Sequence, residues 1–157
     1  MRNDAERLAT LRRLMILEST PEQAYDDIAR SLAAGLDVPI TMVNLLDENR
    51  DWFKACIGLP VSESPATGSF CQVMFDSTEQ TIVVPDTTID PRFADNPFVK
   101  GDPNVRFYAA SRLVVDGHTV GTICAYDFKP RQLSAEQIDT MRALAEAATK
   151  MLVARLP

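Results

Sequence analysis

Three cysteines, Cys56, Cys71 and Cys124, are the most reactive side chains of this 157-residue chain. They form neither an even-numbered disulfide framework nor a Cys-x-x-Cys pair, so we expect three reduced thiols. A thiol acts as a nucleophile where its pKa is lowered, for example beside a cation such as Arg106. The alternative to three inert thiols is therefore a thiol-dependent reductase that uses Cys71 or Cys124.

Charged side chains in the second half of the chain offer a different chemistry. The guanidinium of Arg92 or Arg106 presents a planar fork of donors that fits a carboxylate or phosphate on a small ligand. The structural alternative has Asp90 capping the turn that follows it, with an arginine bridging to Asp86 or Asp127. We favour the structural alternative, because Asp-Pro is a common helix start that needs no ligand.

Aromatic and small side chains could line a pocket near these charges, since ligand pockets are mostly apolar with a few placed polar groups. In a strand, alternate side chains point to the same face. This rule groups Tyr108, Ala110 and Arg112 on one predicted strand, and Val120, Thr122 and Cys124 on the next. Phe70 and Phe93 are further aromatic candidates, and Arg112 could donate to a pocket or to a dimer partner.

The composition excludes several classes of partner. A formal net charge of −6 at pH 7 provides no field that attracts nucleic acid or anionic lipid. The charged N-terminal segment is not followed by the apolar stretch of a signal peptide, and no apolar run is long enough to span a membrane. We therefore expect a soluble, cytoplasmic protein that binds neither nucleic acid nor membranes. No residue spacing indicates a metal site or a glycine-rich phosphate loop, so the cofactor is unknown.

Two helices are predicted at the start of the chain. The first covers residues 4–18, because Leu8 and Met15 lie on one apolar stripe at helical spacing. The second begins with Thr20 as its N-cap and ends with Gly35 as its C-cap.

Strands follow where the apolar period changes to two. A hairpin is predicted from strands at 40–46 and 52–57, and a buried strand at 81–84. Residues 86–104 are rich in proline, glycine, asparagine and aspartate, so we expect a loop with short helical turns. Asp116-Gly117 then predicts a tight hairpin between strands at 105–115 and 119–128.

Ser134 opens the last helix by a capping box with Gln137, and its apolar stripe runs to residue 155. Helices at both ends of a run of antiparallel hairpins predict an α+β fold, with helices packed on one face of the sheet.

Several ordered phrases carry a family resemblance. The strongest are Asp90-Pro91-Arg92-Phe93, Val105-Arg106-Phe107-Tyr108-Ala109 and Val120-Gly121-Thr122-Ile123-Cys124-Ala125-Tyr126-Asp127. They follow Trp52-Phe53-Lys54, Ser69-Phe70-Cys71 and Val84-Pro85-Asp86. In this order the series resembles the sensory GAF domain of bacterial signalling proteins, over residues 20–155.

The resemblance implies one domain over residues 1–157, with an N-terminal helix at 1–18, the sheet and pocket loops at 20–130, and a C-terminal helix at 134–155. It implies a central antiparallel sheet of five to six strands, the terminal helices on one face, and loops over a ligand pocket on the other. The implied ligand-binding residues are Phe70, Cys71, Asp86, Asp90, Arg92, Phe93, Arg106, Tyr108, Ala110, Arg112, Thr122 and Cys124.

The implied function is that of a small-molecule-binding sensory module, not an enzyme. Such a module passes its ligand state to the terminal helices and to a homodimer interface formed by them, and a histidine kinase or cyclase is a candidate output domain. The motifs of family members that bind cyclic nucleotides or bilins are not met, so the small-molecule ligand is unidentified. The alternatives are a structural dimerisation module without ligand and a reductase of methionine sulfoxide that depends on its thiols.

Overall fold

The computed structural model describes residues 1–157 as one antiparallel sheet with helices against it. The strands are β1 (Ile40–Leu46), β2 (Arg50–Ile57), β3 (Glu63–Pro65), β4 (Thr81–Val84), β5 (Phe107–Val115) and β6 (His118–Asp127). The helices are α1 (Ala5–Arg13), α2 (Gln23–Leu36), α3 (Pro97–Lys100) and α4 (Ala135–Val153), with a 3₁₀ helix at Phe70–Phe75. The six strands lie in the order β3-β2-β1-β6-β5-β4, which confirms the predicted α+β class.

The terminal helices share one face of the sheet, as predicted. Helix α2 lies over β1 and β2, α4 over β5 and β6, and α1 against β6. Because strand side chains alternate between faces, Val43 and Leu45 of β1 and Ile123 of β6 point into this helical layer and are fully buried. The small side chain Ala109 lies in the same layer, where it leaves room for helix packing and not for a ligand.

A second core lies on the opposite face. It joins alternate residues of the same strands to the 3₁₀ helix and to the loop after β4, and Met42, Phe70, Phe93, Tyr108 and Cys124 are among its members. The sheet therefore separates two apolar layers.

The tight hairpin between β5 and β6 is confirmed. Asp116 and Gly117 both have positive φ angles, 50° and 77°, as a type I′ turn requires. The capping box of α4 is also present: Ser134 Oγ accepts from Gln137 N at 3.1 Å, and Gln137 Oε1 accepts from Ser134 N at 2.9 Å. These two predictions rest on local hydrogen-bond chemistry.

Two β-bulges interrupt the alternation. Val43 pairs with Ala55 whereas Asn44 pairs with Phe53, so Lys54 is an extra residue in β2. Leu113 pairs with Gly121 whereas Val114 pairs with Thr119, so Val120 is an extra residue in β6. The prediction that Val120 shares a face with Thr122 was wrong for this reason, and Val120 packs in the helical layer.

The predicted end of the first helix was wrong. Helix α1 ends at Arg13, and Met15 has a φ of 52°, which no helix accommodates. Leu14 and Ile16 are both fully buried while Met15 is 77% exposed, so burial of alternate residues replaces the helical stripe. The N-terminal helix thus covers 5–13 within the predicted range of 1–18.

Both predicted caps of the second helix were also wrong. Helix α2 begins at Gln23 after an extended Glu22, and the Thr20 carbonyl, outside the helix, accepts a hydrogen bond from Lys54 Nζ at 2.5 Å. The helix continues through Gly35 to Leu36, and Asp37 adopts the left-handed conformation, with a φ of 54°. Gly35 instead lets α4 approach, since a Cβ there would lie 3.1 Å from Thr140 Cγ2.

No helix of the structure combines the length and the apolar character that crossing a membrane requires.

Candidate ligand-binding cavity

A cavity of about 370 Å³ opens on the face of the sheet opposite the helices. It lies over β1 and β2, between the 59–69 segment on one side and residues 98–105 on the other. Seventeen residues line it: Ile40, Met42, Asp51, Phe53, Leu59, Val61, Glu63, Ser64, Pro65, Gly68, Ser69, Phe70, Phe98, Pro103, Val105, Tyr126 and Phe128. Ten of the seventeen are hydrophobic, so the wall is mainly apolar.

The strand period explains how the floor of the cavity is built. Ile40 and Met42 are two residues apart on β1, and Asp51 and Phe53 are two apart on β2, so all four side chains point to the same face. The antiparallel register places Asp51 opposite Leu46, and it places Ile40 at the far end, beside Tyr126. The floor is therefore polar at the β1–β2 turn and apolar at its other end.

Asp51 is the central group of the polar end, where it is 4% exposed. Its Oδ2 accepts from Ser69 Oγ at 2.5 Å and from Asn44 Nδ2 at 3.3 Å. Its Oδ1 lies 3.0 Å from Arg2 Nη2, so the carboxylate is neutralised by a buried ion pair. The polar end of the cavity is therefore a carboxylate whose two oxygens already have partners within the chain.

The mouth of the cavity is apolar. Leu59, Val61, Phe98 and Phe128 line it and are 39%, 47%, 43% and 45% exposed. Large apolar side chains that gather around an opening indicate a binding surface more strongly than the same residues scattered singly.

Phe70 alone among the twelve predicted ligand-binding residues lies on the cavity wall. Beside the cavity, the rings of Phe70, Phe93, Tyr108 and Tyr126 pack against one another at centroid distances of 5.3–5.4 Å, with Phe70 and Phe93 stacked and Phe70 and Tyr126 edge to face. Phe93 and Tyr108 therefore fill the space between the sheet and the 86–104 loop with their own rings.

The remaining predicted residues of the sheet lie beneath this aromatic layer. Cys71 Sγ accepts from Tyr108 Oη at 3.1 Å and from Asn44 Nδ2 at 3.5 Å, and it lies 3.2 Å from Thr122 Oγ1. Ala110 pairs with Cys124 in the sheet register, and both are fully buried. These residues contact one another and do not reach the cavity.

The two buried thiols differ in acidity. Burial raises the pKa of Cys124 well above its usual value, and the hydrogen bond between the two thiols adds to this effect. Hydrogen bonds, led by the one from Cys124, lower the pKa of Cys71. Both sulfur-bearing side chains are 0% exposed, so a substrate would have to displace the aromatic layer to meet them.

Three of the predicted charged residues make local contacts around the 86–106 loop. Asp90 Oδ1 accepts from Arg92 N at 2.9 Å and its Oδ2 lies 2.8 Å from Arg92 Nη2, so Asp90 caps its turn as the structural alternative had it. The Arg92 hydrogen bond lowers the pKa of Asp90. Arg106 Nη1 donates to Val99 O at 2.8 Å.

The two predicted aspartate bridges have different outcomes. Asp127 Oδ2 lies 2.7 Å from Arg131 Nε, which joins the end of β6 to the segment before α4. Asp86 has no arginine partner and instead accepts from Thr88 N and Thr88 Oγ1, at 3.0 and 2.6 Å, bonds that lower its pKa.

Arg112 fixes the segment between the 3₁₀ helix and β4. Its Nε donates to Glu79 O at 2.7 Å, Nη1 to Thr119 Oγ1 at 2.8 Å, and Nη2 to Met74 O at 3.2 Å and Ser77 O at 2.9 Å. These bonds engage its guanidinium within the chain.

Sequence reasoning missed most of the cavity wall. The predicted strand began at residue 52 and so left out Asp51, whereas β2 begins at Arg50 and carries Asp51 inward. Leu59, Val61 and Phe98 lie in segments without a periodic pattern, so no signal in the sequence could identify them.

Comparison with known proteins identifies the family. The GAF domain family matches residues 20–152. The chain belongs to the GAF domain family. A cyclic di-GMP phosphodiesterase of Pseudomonas aeruginosa is 34% identical over 155 residues, which are 98% of this chain and 26% of that protein. This GAF chain therefore spans about a quarter of the curated relative that it matches.

Solved GAF domains share the fold. The GAF domain of an Acinetobacter phosphoenolpyruvate-protein phosphotransferase covers 95% of this chain and 93% of its own, with a TM-score of 0.69 and 19% identity. The blue-light-absorbing form of the PixJ GAF domain of Thermosynechococcus elongatus covers 95% of this chain and 90% of its own, with a TM-score of 0.63 and 18% identity. Members of this family thus occur as domains of signalling proteins, and at these identities the structural likeness concerns the fold alone.

Proposed function

We propose that this GAF domain is a sensory module that binds a small molecule in the cavity over β1 and β2. The observation that carries the proposal is an apolar cavity with a few polar groups gathered at one end. Small-molecule sites have this composition and occupy about 300–1,000 Å³, a range that includes the volume of about 370 Å³ found here.

The N-terminal segment supplies a route for the signal. Arg2 approaches Asp51 at the polar end, and Arg7 Nε donates to the Arg2 carbonyl at 3.0 Å, so residues 1–13 are attached to the cavity wall. Phe98 and Pro103 attach the 86–104 loop to the opposite wall. A ligand that binds better to one arrangement of these contacts than to another shifts the population of the terminal segments.

The proposed signal route through the terminal segments also indicates which partners the domain has. We propose a homodimer through the terminal helices, supported by Met15 and Val153, which are 77% and 47% exposed near their ends. We also propose an output domain of the histidine kinase or cyclase type. The phosphodiesterase relative adds that class as a further candidate.

The two alternative functions are judged by the packing of the aromatic layer beside the cavity. A structural dimerisation module without ligand is supported where Phe93 and Tyr108 fill the space below the 86–104 loop, but it leaves the neighbouring cavity without a role. A reductase requires access to Cys71, which is 0% exposed below the same layer. The cavity therefore favours ligand binding over both, and we propose no catalytic residue.

Titration with 4-phenyl-1-butanol, a small neutral amphiphile, tests the cavity. In methyl NMR spectra we expect saturable shifts at Ile40, Met42 and Val61, which line the cavity. Leu36, which is buried in the helical layer at the end of α2 and outside the terminal helices, should not move and is the internal control. The absence of saturable shifts, or shifts confined to the helical layer, would contradict the proposed site.

A further inference from the structure

Every charged group on the cavity wall is already paired within the chain. Asp51 Oδ1 lies 3.0 Å from Arg2 Nη2, and Asp51 Oδ2 accepts from Ser69 Oγ at 2.5 Å. Glu63 Oε2 lies 3.1 Å from Arg50 Nη1. These two carboxylates are the only charged residues among the seventeen that line the cavity. A ligand therefore finds no free charge on the wall.

A charged ligand would lose its hydration in this cavity without gaining a partner. A cation would have to displace Arg2 from Asp51, and the Arg2 side chain is 8% exposed and also donates to Gln72 Oε1 and Asp47 O. An anion would meet the two carboxylates, since the wall contains no lysine, arginine or histidine. Moving an ion from water into an apolar site without a partner is strongly unfavourable. The wall thus selects against ligands of either charge.

The remaining polar groups of the wall are neutral. The Gly68 carbonyl accepts from Asn96 Nδ2 at 3.0 Å, and Ser64 is half-buried in the edge strand β3. Burial raises the pKa of Tyr126 well above its usual value, so its hydroxyl stays protonated at neutral pH. The wall therefore accommodates a neutral polar group on a ligand but does not require one.

Aromatic side chains form much of the apolar wall. Five of the seventeen lining residues carry rings, and they come from separate parts of the chain: Phe53 of β2, Phe70 of the 3₁₀ helix, Phe98 of α3, Tyr126 of β6 and Phe128 after β6. Pairs of aromatic rings stabilise a contact beyond the effect of the area that they bury. A ligand with rings therefore gains more from this wall than an aliphatic ligand of the same size.

The volume of the cavity sets the size of the ligand. An engineered apolar cavity of about 150 Å³ binds benzene. The cavity over β1 and β2, at about 370 Å³, is more than twice as large and so holds roughly two rings.

We propose that the ligand of this cavity is an uncharged aromatic molecule of about two rings, held by apolar contacts and without an ionic head group. This inference rests on the proposed function, because it assigns a ligand class to the same cavity. It excludes nucleotides, amino acids and organic acids, which carry charges that the wall does not neutralise. The ion pair between Arg2 and Asp51 sets this selectivity, since it withholds the buried carboxylate from a ligand cation.

Four naphthalene probes with the same carbon skeleton test the absence of a charged head: 2-methylnaphthalene, 2-naphthylmethanol, 2-naphthylmethylamine and 2-naphthoate. We expect 2-methylnaphthalene to bind the full chain at least as tightly as the alcohol, since no polar head is needed. The amine and the carboxylate should each bind at least about tenfold more weakly than the alcohol. Methyl NMR titrations in about 0.15 M salt measure the affinities, because a Debye length of about 8 Å limits attraction of the amine to the net charge.

A saturated analogue tests the preference for rings. Decahydro-2-naphthylmethanol has the skeleton of the alcohol without its aromatic character, so we expect it to bind at least about twofold more weakly. Phe98→Ala removes a ring from the mouth and should weaken the binding of 2-naphthylmethanol by about fivefold. Ile89→Ala is the matched control, because Ile89 is an 80% exposed apolar residue of the same loop that does not line the cavity.

Arg2→Gln tests the role of the ion pair. Because Asp51 then loses its cationic partner, the amine should gain at least about tenfold in affinity relative to the alcohol. Arg13→Gln is the control, since Arg13 pairs with Asp116 at the exposed surface, and it should keep the wild-type order. An Arg2→Gln variant that also keeps the wild-type order would overturn the role given to the ion pair. If that variant does not fold, the wild-type probe series and the Phe98→Ala variant still decide the ligand class.

The outcomes separate this inference from the proposed function. Tighter binding of the amine or the carboxylate than of the alcohol would overturn the uncharged ligand class and leave the sensory cavity standing. A saturated analogue that binds as tightly as 2-naphthylmethanol would overturn the preference for aromatic ligands. Failure of every probe to bind would count against the proposed cavity itself.

Discussion

Replacing Gly121 by alanine is expected to destabilise the domain by about 3 kcal/mol, the upper part of the usual range for overpacking. A Cβ at this position would lie 2.3 Å from the Asn44 carbonyl oxygen and 3.3 Å from its carbon. Both atoms belong to the backbone of β1, which pairs with strands on either side and cannot retreat without breaking a ladder. Urea-induced unfolding followed by circular dichroism measures the loss.

Gly117→Ala is the control for the Gly121 prediction. A Cβ there meets nothing within 4 Å, so only its positive φ of 77° opposes alanine, at about 1 kcal/mol. A Gly121→Ala variant as stable as Gly117→Ala would contradict the close approach of β1 and β6.

Lys54→Met is expected to cost about 2–3 kcal/mol of unfolding free energy. The side chain of Lys54 is fully buried, and its Nζ donates to Ser19 Oγ at 2.7 Å and Thr20 O at 2.5 Å and lies 2.6 Å from Glu22 Oε2. Methionine keeps the apolar length but leaves Ser19 Oγ and Thr20 O without this donor, while Glu22 Oε2 retains only Arg155 Nη1 at 2.9 Å. Lys150→Met is the control: Lys150 is 77% exposed and pairs only with Glu146, so a change within about 0.5 kcal/mol is expected. Equal losses in the two variants would contradict the role of Lys54.

The same contact predicts a pH dependence. The Lys54 hydrogen bond is the main cause of a lowered pKa at Glu22 in the folded state. A carboxyl with a lower pKa in the folded state contributes stability above its unfolded pKa, about 4.3, and that contribution is lost as pH falls through the folded value. Unfolding midpoints between neutral pH and this acid range should therefore fall less steeply in Lys54→Met than in the wild type. An unchanged slope would show that Glu22 is not held by Lys54.

Features set by neighbouring residues could be predicted from the sequence. The Asp116-Gly117 turn needs positive φ at both positions, and the Ser134 capping box needs only a four-residue span, so both were found where predicted. The end of α1 could not be predicted, because Met15 is compatible with a helix by type. Burial of both Leu14 and Ile16 against the rest of the domain decides the backbone there.

The location of the cavity depends on contacts between distant parts of the chain. The family phrases drew attention to Tyr108, Thr122 and Cys124, yet the stacked rings of Phe70 and Phe93 both pack against Tyr108 and close that part of the face. The space that remains lies over β2, next to Asp51. No pattern in the sequence specifies which aromatic rings fill a layer and which leave a gap, since this depends on packing across the whole face.

Native mass spectrometry of the protein purified from its own host tests the central claim most directly. The account predicts a dimer that carries one small organic molecule per chain, and loss of that molecule after unfolding and refolding in clean buffer. A mass equal to the polypeptide alone, under conditions that preserve the fold, would contradict the claim that the cavity beside Asp51 is a sensory site.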